Sequence, residues 1–172
     1  MKGLWDYSKV ETPRPYGNDD VTYRKAMTFM TDCDVVEDWG CGMGYARKFC
    51  TTKYVGVDGS WSKFADVVAD LREYTSKADG ILLRHVLEHN HDWRPILRNA
   101  IKSFTKKLAL VIFTPFQETT KVLALNKDYH DVPDIGFRKQ DLLEELGDLA
   151  YSEQSLRTAT QYNFEHVFYV VR

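Results

Sequence analysis

Three glycines stand at alternate positions directly after a short apolar stretch. Residues 35–44 read Val-Val-Glu-Asp-Trp-Gly-Cys-Gly-Met-Gly, which places the glycines at Gly40, Gly42 and Gly44. Glycine adopts positive φ without strain and lets a ligand approach the backbone closely. The free amides of a helix that starts at Tyr45 would favour negative or electron-rich ligand groups. The spacing therefore predicts a ligand-binding turn between a buried strand and a helix.

Two other glycine-rich turns do not fit this spacing. The dinucleotide fingerprint G-x-G-x-x-G needs a glycine where Tyr45 stands, and a Walker-type phosphate loop needs a Gly-Lys-Ser/Thr sequence. Neither sequence is present around residue 40. The turn therefore indicates a different ligand.

Acidic residues end two of the strands that follow. Asp58 closes the apolar segment 54–58, fourteen residues after Gly44, and Asp70 closes the segment 66–70. An acid at the end of the second strand of a βαβ unit can accept hydrogen bonds from both hydroxyls of a ribose. The alternative for Asp58 is to cap the next helix together with Ser60, and the alternative for Asp70 is an ordinary loop position.

Histidines cluster where the fourth strand ends. The predicted strand 79–85 runs into Val-Leu-Glu-His-Asn-His, so Arg84 and His85 stand at its exit. His85 and His89 have the i, i+4 spacing of a zinc pair, but the zinc-protease pattern needs Glu at i+1, and here Glu88 is at i+3. We expect no metal site, because no third ligand is clearly placed. Glu88 and His89 are expected to bond locally at the start of a helix.

Apolar periodicity predicts the elements that position these residues. The near-continuous apolar run 108–114 is typical of a strand in a parallel sheet covered on both faces. With 172 residues, one domain over 1–172 is expected. A helix capped by residues 18–20 is predicted to run to about Met30, and further helices are predicted over 45–51, 92–106 and 137–146, with a helical turn at 60–64. The first strand is predicted to end near Trp39, and the others span 54–58, 66–70, 79–85, 108–114, 151–159 and 164–171.

Two irregular segments are candidates to shape a pocket. The N-terminal arm, residues 1–18, holds Pro13 and Pro15, which prevent a regular helix. The arm either covers the ligand, with Arg14 and Tyr16 above it, or packs on the surface through its aromatic residues. The connection 115–137 is long enough to indicate a functional loop, with a short helix at 122–125. His130 in this loop is either a base or substrate contact, or a surface histidine.

Taken in order, the stretch 38–44, Asp58 in Val-Gly-Val-Asp-Gly-Ser, Asp70-Leu71 and His-Val-Leu-Glu-His resemble the successive motifs of class I S-adenosylmethionine (SAM)-dependent methyltransferases. The resemblance covers roughly residues 20–172. It implies an α/β fold: a three-layer α/β/α sandwich whose mostly parallel seven-stranded sheet ends in a C-terminal antiparallel hairpin. It implies SAM as the cofactor, bound by Asp38, Gly40, Cys41, Gly42, Gly44, Asp58, Gly59, Ser60, Asp70, Leu71, Arg84 and His85.

The implied reaction is transfer of a methyl group to an oxygen or nitrogen nucleophile, with His85 and His130 as candidate catalytic residues. The 23 Lys and Arg residues and 25 Asp and Glu residues give a net charge of -2, which favours a small-molecule acceptor. A nucleic-acid methyltransferase is the alternative, and it predicts a basic groove formed by Arg14, Arg24, Lys25, Arg47, Lys48, Arg138 and Lys139. A SAM-binding module without catalysis is the third hypothesis.

The cysteine pattern and the hydropathy indicate the cellular compartment of the protein. Cys33, Cys41 and Cys50 form no C-x-x-C pair, so reduced thiols in a cytoplasmic protein are expected. The first six residues lack the apolar core of a signal peptide. No run approaches the ~18 apolar residues of a membrane span, so no membrane association is expected.

Overall fold

A computed structural model describes residues 5–7, 9–127 and 131–172, except for the side chain of Asn18. The candidate residue His130 lies outside this part of the chain. The helices are α1 (Val21–Phe29), α2 (Trp93–Ser103) and α3 (Lys139–Leu146), with 3₁₀ turns at Tyr16–Asn18, Tyr45–Phe49 and Leu87–His89. The strands are β1 (Val35–Trp39), β2 (Lys53–Asp58), β3 (Val67–Val68), β4 (Ala78–Arg84), β5 (Phe104–Ile112), β6 (Lys121–Asn126), β7 (Val132–Gly136), β8 (Ala150–Arg157) and β9 (Phe164–Val171).

Seven of the strands form one sheet in the order β3-β2-β1-β4-β5-β9-β8. The first five strands in this order are parallel to one another, whereas β9 runs antiparallel to β5 and to β8. The mostly parallel seven-stranded sheet with a C-terminal antiparallel hairpin is therefore confirmed. Because β1 to β5 are parallel, the residues after each of these strands meet at one edge of the sheet.

Helices cover both faces of this sheet, as predicted. Leu82 and Leu83 are neighbours on β4 and belong to different apolar clusters, because successive side chains of a strand point to opposite faces. Leu83 packs in the cluster with Trp93 and Leu97 of α2, and Leu82 packs in the cluster with Met27 of α1. In the part of the chain that the structure describes, no helix is long and apolar enough to cross a membrane.

The segment 115–137 differs from its prediction. The expected helix at 122–125 is wrong, because these residues belong to β6, which pairs antiparallel with β7 in a separate two-stranded sheet. Leucine and alanine favour helices in isolation, but strand pairing overrides so short a local preference. The predicted substrate loop is thus largely a β-hairpin.

Four further element predictions were wrong in length or type. The helix expected over 45–51 is a 3₁₀ turn of five residues, Tyr45–Phe49. The helix expected over 92–106 ends at Ser103, and Phe104 already pairs with Ala78 as the first residue of β5. The helical turn expected over 60–64 is irregular, and β3 has only two residues. Pairing with β4, which local periodicity does not reveal, determines where α2 stops.

Candidate functional site

The glycine turn after β1 requires glycine. Gly40, Gly42 and Gly44 all have positive φ, between 51° and 76°. A Cβ atom at Gly40 would lie 2.3 Å from a methyl carbon of Val86, which follows β4. The absence of side chains therefore lets the turn pack against the end of the neighbouring strand.

Asp58 fastens this turn to the end of β2. Its Oδ2 accepts a hydrogen bond from the backbone N–H of Gly42 at 2.8 Å, and its Oδ1 accepts one from the N–H of Ser60 at 2.7 Å. Burial raises the pKa of Asp58, and the two backbone hydrogen bonds oppose that rise. A carboxylate has about four acceptor positions, so each oxygen keeps capacity for one more donor.

A cavity of about 550 Å³ lies at the carboxyl ends of the parallel strands, where ligands bind in open α/β sheets. Eight of the predicted cofactor residues line it: Gly40, Asp58, Gly59, Ser60, Asp70, Leu71, Arg84 and His85. They come from the ends of β1, β2, β3 and β4, four elements that are distant in sequence. The parallel arrangement is what brings them together.

The other four predicted cofactor residues, Asp38, Cys41, Gly42 and Gly44, are not among the cavity-lining residues. Asp38 accepts a hydrogen bond from the Tyr54 hydroxyl at 2.5 Å, and burial raises its pKa to about 6. The sulfur of Cys41 is directed at the carbonyl of Phe64. We expect these four residues to affect a ligand through the shape of the turn.

Asp70 is held by a bidentate ion pair. Arg72 donates from Nε to Oδ1 at 3.0 Å and from Nη2 to Oδ2 at 2.6 Å. Hydrogen bonding to Arg72 lowers the pKa of Asp70. Both residues line the cavity beside the apolar side chain of Leu71. This end of the cavity thus has an apolar surface, and the charge of Asp70 beside it is neutralised by Arg72.

The N-terminal arm packs across the glycine turn. The Trp5 backbone N–H donates to Ser60 Oγ at 3.1 Å, and the hydroxyls of Tyr7 and Tyr16 lie 3.2 Å apart. Both rings line the cavity, and burial raises the pKa of Tyr7, so its hydroxyl stays protonated. Of the two residues expected above the ligand, Tyr16 lies on the cavity wall and Arg14 is exposed.

Valine at position 42 is expected to displace this arm. A Cβ atom there would lie 3.0 Å from the hydroxyls of Tyr7 and Tyr16. Gly147 is the matched control, because it has a similar positive φ but nothing within 4 Å of a built Cβ. We expect Gly42→Val to speed tryptic cleavage after Lys9 several-fold, and Gly147→Val to leave that rate unchanged. Equal cleavage rates in the two variants would contradict the packing described here.

A buried ion pair stands behind the exit of β4. Arg84 donates to Glu165 Oε1 at 2.8 Å and to Thr22 Oγ1 at 3.0 Å, and His85 Nε2 hydrogen-bonds the same oxygen of Glu165. Sequence reasoning missed Glu165. The available signal was an acid two residues before Val167, on the same face of a largely apolar strand.

The protonation of this pair limits what His85 can do. Burial and the adjacent Arg84 lower the pKa of His85 to about 3. Burial alone would raise the pKa of Glu165, but the hydrogen bond from His85 and the charge of Arg84 bring it to about 2. A neutral imidazole that donates Nε2–H to Glu165 leaves Nδ1 as an acceptor. The catalytic role of His85 stays a prediction, and the ring is better suited to accepting a hydrogen bond than to holding a proton.

Glu88 and His89 make long-range side-chain contacts in addition to the local bonding expected at the start of a helix, where the His89 N–H donates to the Val86 carbonyl. His89 Nδ1 lies 3.0 Å from the Pro133 carbonyl and 3.4 Å from Asp134 Oδ1, and its ring lines the cavity. Glu88 Oε1 accepts the backbone N–H of Phe113 at 2.7 Å. No cluster of three His, Cys, Asp or Glu residues that could hold a metal occurs within the described ranges.

Glu88 predicts a pH dependence of stability. Burial raises its pKa from 4.5 to about 8, so between these values the unfolded chain binds fewer protons than the folded one. Stability should therefore fall with rising pH across this window. Glu88→Gln is expected to remove ~1.4 kcal/mol per pH unit from that slope in urea unfolding. The exposed Glu73→Gln should leave the slope unchanged, and an unaltered slope in the Glu88 variant would contradict the prediction.

No protein-family model and no curated protein matches this sequence. Solved structures do match. The chain is 17% identical to Burkholderia thailandensis 1,6-didemethyltoxoflavin-N1-methyltransferase, with a TM-score of 0.66 over 90% of this chain and 79% of that one. The chain has the class I methyltransferase fold. This fold is shared with Synechocystis magnesium protoporphyrin IX methyltransferase (17% identity, TM-score 0.64, 89% and 83% covered). It is also shared with the N-methyltransferase NodS of Bradyrhizobium japonicum (11% identity, TM-score 0.64, 99% and 94% covered).

Proposed function

We propose that this protein is a SAM-dependent methyltransferase that acts on an oxygen or nitrogen nucleophile of a small molecule. The observation that carries the proposal is one continuous cavity. Asp58 and Leu71 line one part of it, and His89 and Asp134 line another, beyond the exit of β4. A cofactor and an acceptor can therefore lie side by side. The three structures named above were solved with S-adenosylhomocysteine (SAH) bound, which supports this ligand for the same fold.

The cavity wall suits an adenosyl group. The two oxygens of Asp58 keep lone pairs that can accept from ribose hydroxyls, and Leu71 offers an apolar surface to an adenine ring. Gly40 allows close approach at the strand exit, and Arg84 and His85 lie next to it. We assign the methionine part of SAM to this last region.

Methyl transfer from SAM requires few catalytic groups from the protein. SAM supplies a methyl group that its positive sulfur already activates. The residues of this chain need to align the acceptor with that methyl group and exclude water. A base is needed only if the acceptor loses a proton during the attack.

The paired surface charges favour a small acceptor over nucleic acid. Among the residues predicted to form a basic groove, Arg24 pairs with Asp20 at 2.8 Å and Arg47 with Asp66 at 2.6 Å. Two more, Arg138 and Lys139, pair with acids as well. Paired cations are poorly placed to neutralise phosphates.

Calorimetry with SAM and SAH tests the cofactor assignment. We expect both ligands to bind with a stoichiometry of one, and absence of binding would overturn the proposed function. Incubation with methyl-labelled SAM and a metabolite extract tests catalysis. Label that appears in small molecules supports the proposal, label in nucleic acid favours the alternative acceptor, and tight binding without transfer indicates a non-catalytic SAM-binding module.

A further inference from the structure

Asp134 of β7 is a buried carboxylate with unused acceptor capacity. It is 1% exposed and lines the cavity. Its Oδ1 accepts from Asn126 Nδ2 at 2.9 Å, whereas the described residues offer Oδ2 only the Tyr162 hydroxyl at 3.4 Å, well beyond the usual length of such a bond. Buried carboxylates that lack strong donors are costly unless a ligand supplies them.

The cations on the cavity wall are already engaged elsewhere. Arg84 is neutralised by Glu165, and Arg72 is neutralised by Asp70. His89 lies 3.4 Å from Asp134, but burial lowers its pKa, which favours the neutral ring. Among the described residues, no Lys or Arg pairs with Asp134, so a cation of the ligand could take that place.

Aromatic rings surround the same region. The Phe113 ring lies with its centroid 4.7 Å from that of His85, 5.4 Å from that of His89 and 5.8 Å from that of Tyr162. Trp5 of the arm contacts His89 edge-on at 5.4 Å. Aromatic faces attract cations, and a carboxylate beside them completes a site for an ammonium group.

We propose that the methyl acceptor is a small-molecule amine, primary or secondary, whose ammonium form binds at Asp134. The proposal rests on the proposed methyltransferase function and deepens it. The ammonium first loses one proton to water. The freed nitrogen lone pair then bonds to the methyl carbon, and the carbon–sulfur bond breaks with its electron pair remaining on sulfur. The product is again an ammonium ion, and SAH is the second product.

Paired probes test the proposal on the intact chain saturated with SAH. Benzylamine, phenethylamine and N-methylbenzylamine are compared with benzyl alcohol and phenethyl alcohol by calorimetry and thermal shift. We expect the amines to bind at least tenfold more tightly than the matched alcohols. Alcohols that bind as well as the amines, or amines that fail to bind while SAH binds, would overturn the amine proposal and leave the proposed function standing. If SAH itself does not bind, the proposed function fails first.

The Asp134→Asn variant tests whether Asp134 causes the preference for amines over alcohols. Asparagine retains the shape of the side chain and an oxygen for the Asn126 amide. We expect this variant to keep the affinity for SAH and to lose at least tenfold in affinity for amines, with alcohol binding unchanged. The exposed Asp148→Asn is the control and should match the wild type. An unchanged amine preference in Asp134→Asn would overturn the assignment, and the wild-type comparison remains decisive if that variant does not fold.

Discussion

Replacing Asp58 with alanine is expected to weaken SAH binding by about 2–4 kcal/mol, roughly 30- to 1000-fold in Kd. The change removes the acceptor of the Gly42 and Ser60 amides, so the glycine turn loses its fastening to β2. It also removes the proposed acceptor of the ribose hydroxyls. Calorimetry measures the loss, and Asp34→Ala, an exposed acid just before β1, is the control.

A ligand lacking the ribose hydroxyls separates these two effects. The wild type should bind the 2′,3′-dideoxy analogue of SAH much more weakly than SAH. Asp58→Ala should discriminate little between them, because the acceptor is already gone. If the variant discriminates as strongly as the wild type, Asp58 does not hold the ribose and acts only on the turn.

Loss of Arg84 is expected to have the largest effect on folding. Arg84→Met should lower the free energy of unfolding by about 3–5 kcal/mol, because it leaves the charge of Glu165 buried without its counter-ion. The side chains of Arg84 and Glu165 are 3% and 0% exposed, and the guanidinium also lies over the Tyr23 ring. Urea unfolding measures the change.

The double variant Arg84→Met/Glu165→Gln shows whether the buried charge is the cause. It should recover more than half of the loss, because the uncompensated carboxylate is gone. Lys63→Met breaks the exposed pair with Glu11 and should cost less than ~1 kcal/mol. A single Arg84 variant as stable as this control would contradict the importance of the buried pair.

Local sequence signals were sufficient to predict the turn and the strand ends that frame the site. The Gly40 turn, the strand that ends at Asp58 and the exit of β4 at Arg84 all lie where local signals predicted them. Apolar runs and glycine spacing are short-range features, because a buried parallel strand needs apolar residues on both faces and the turn needs positive φ. The near-continuous apolar run 108–114 and the family resemblance then predicted the parallel sheet.

Which residues meet at the site depends on long-range packing, which local signals did not predict. Glu165 binds Arg84 from 81 positions away, Asp134 faces the cavity from a hairpin where a helix was expected at 122–125, and the arm packs against Gly42. Such pairings depend on the path of the chain between the partners. They produce no periodic pattern in the sequence of either segment. Local propensity determines where helices and strands form. Burial and charge pairing across the sheet determine which residues of different elements come into contact.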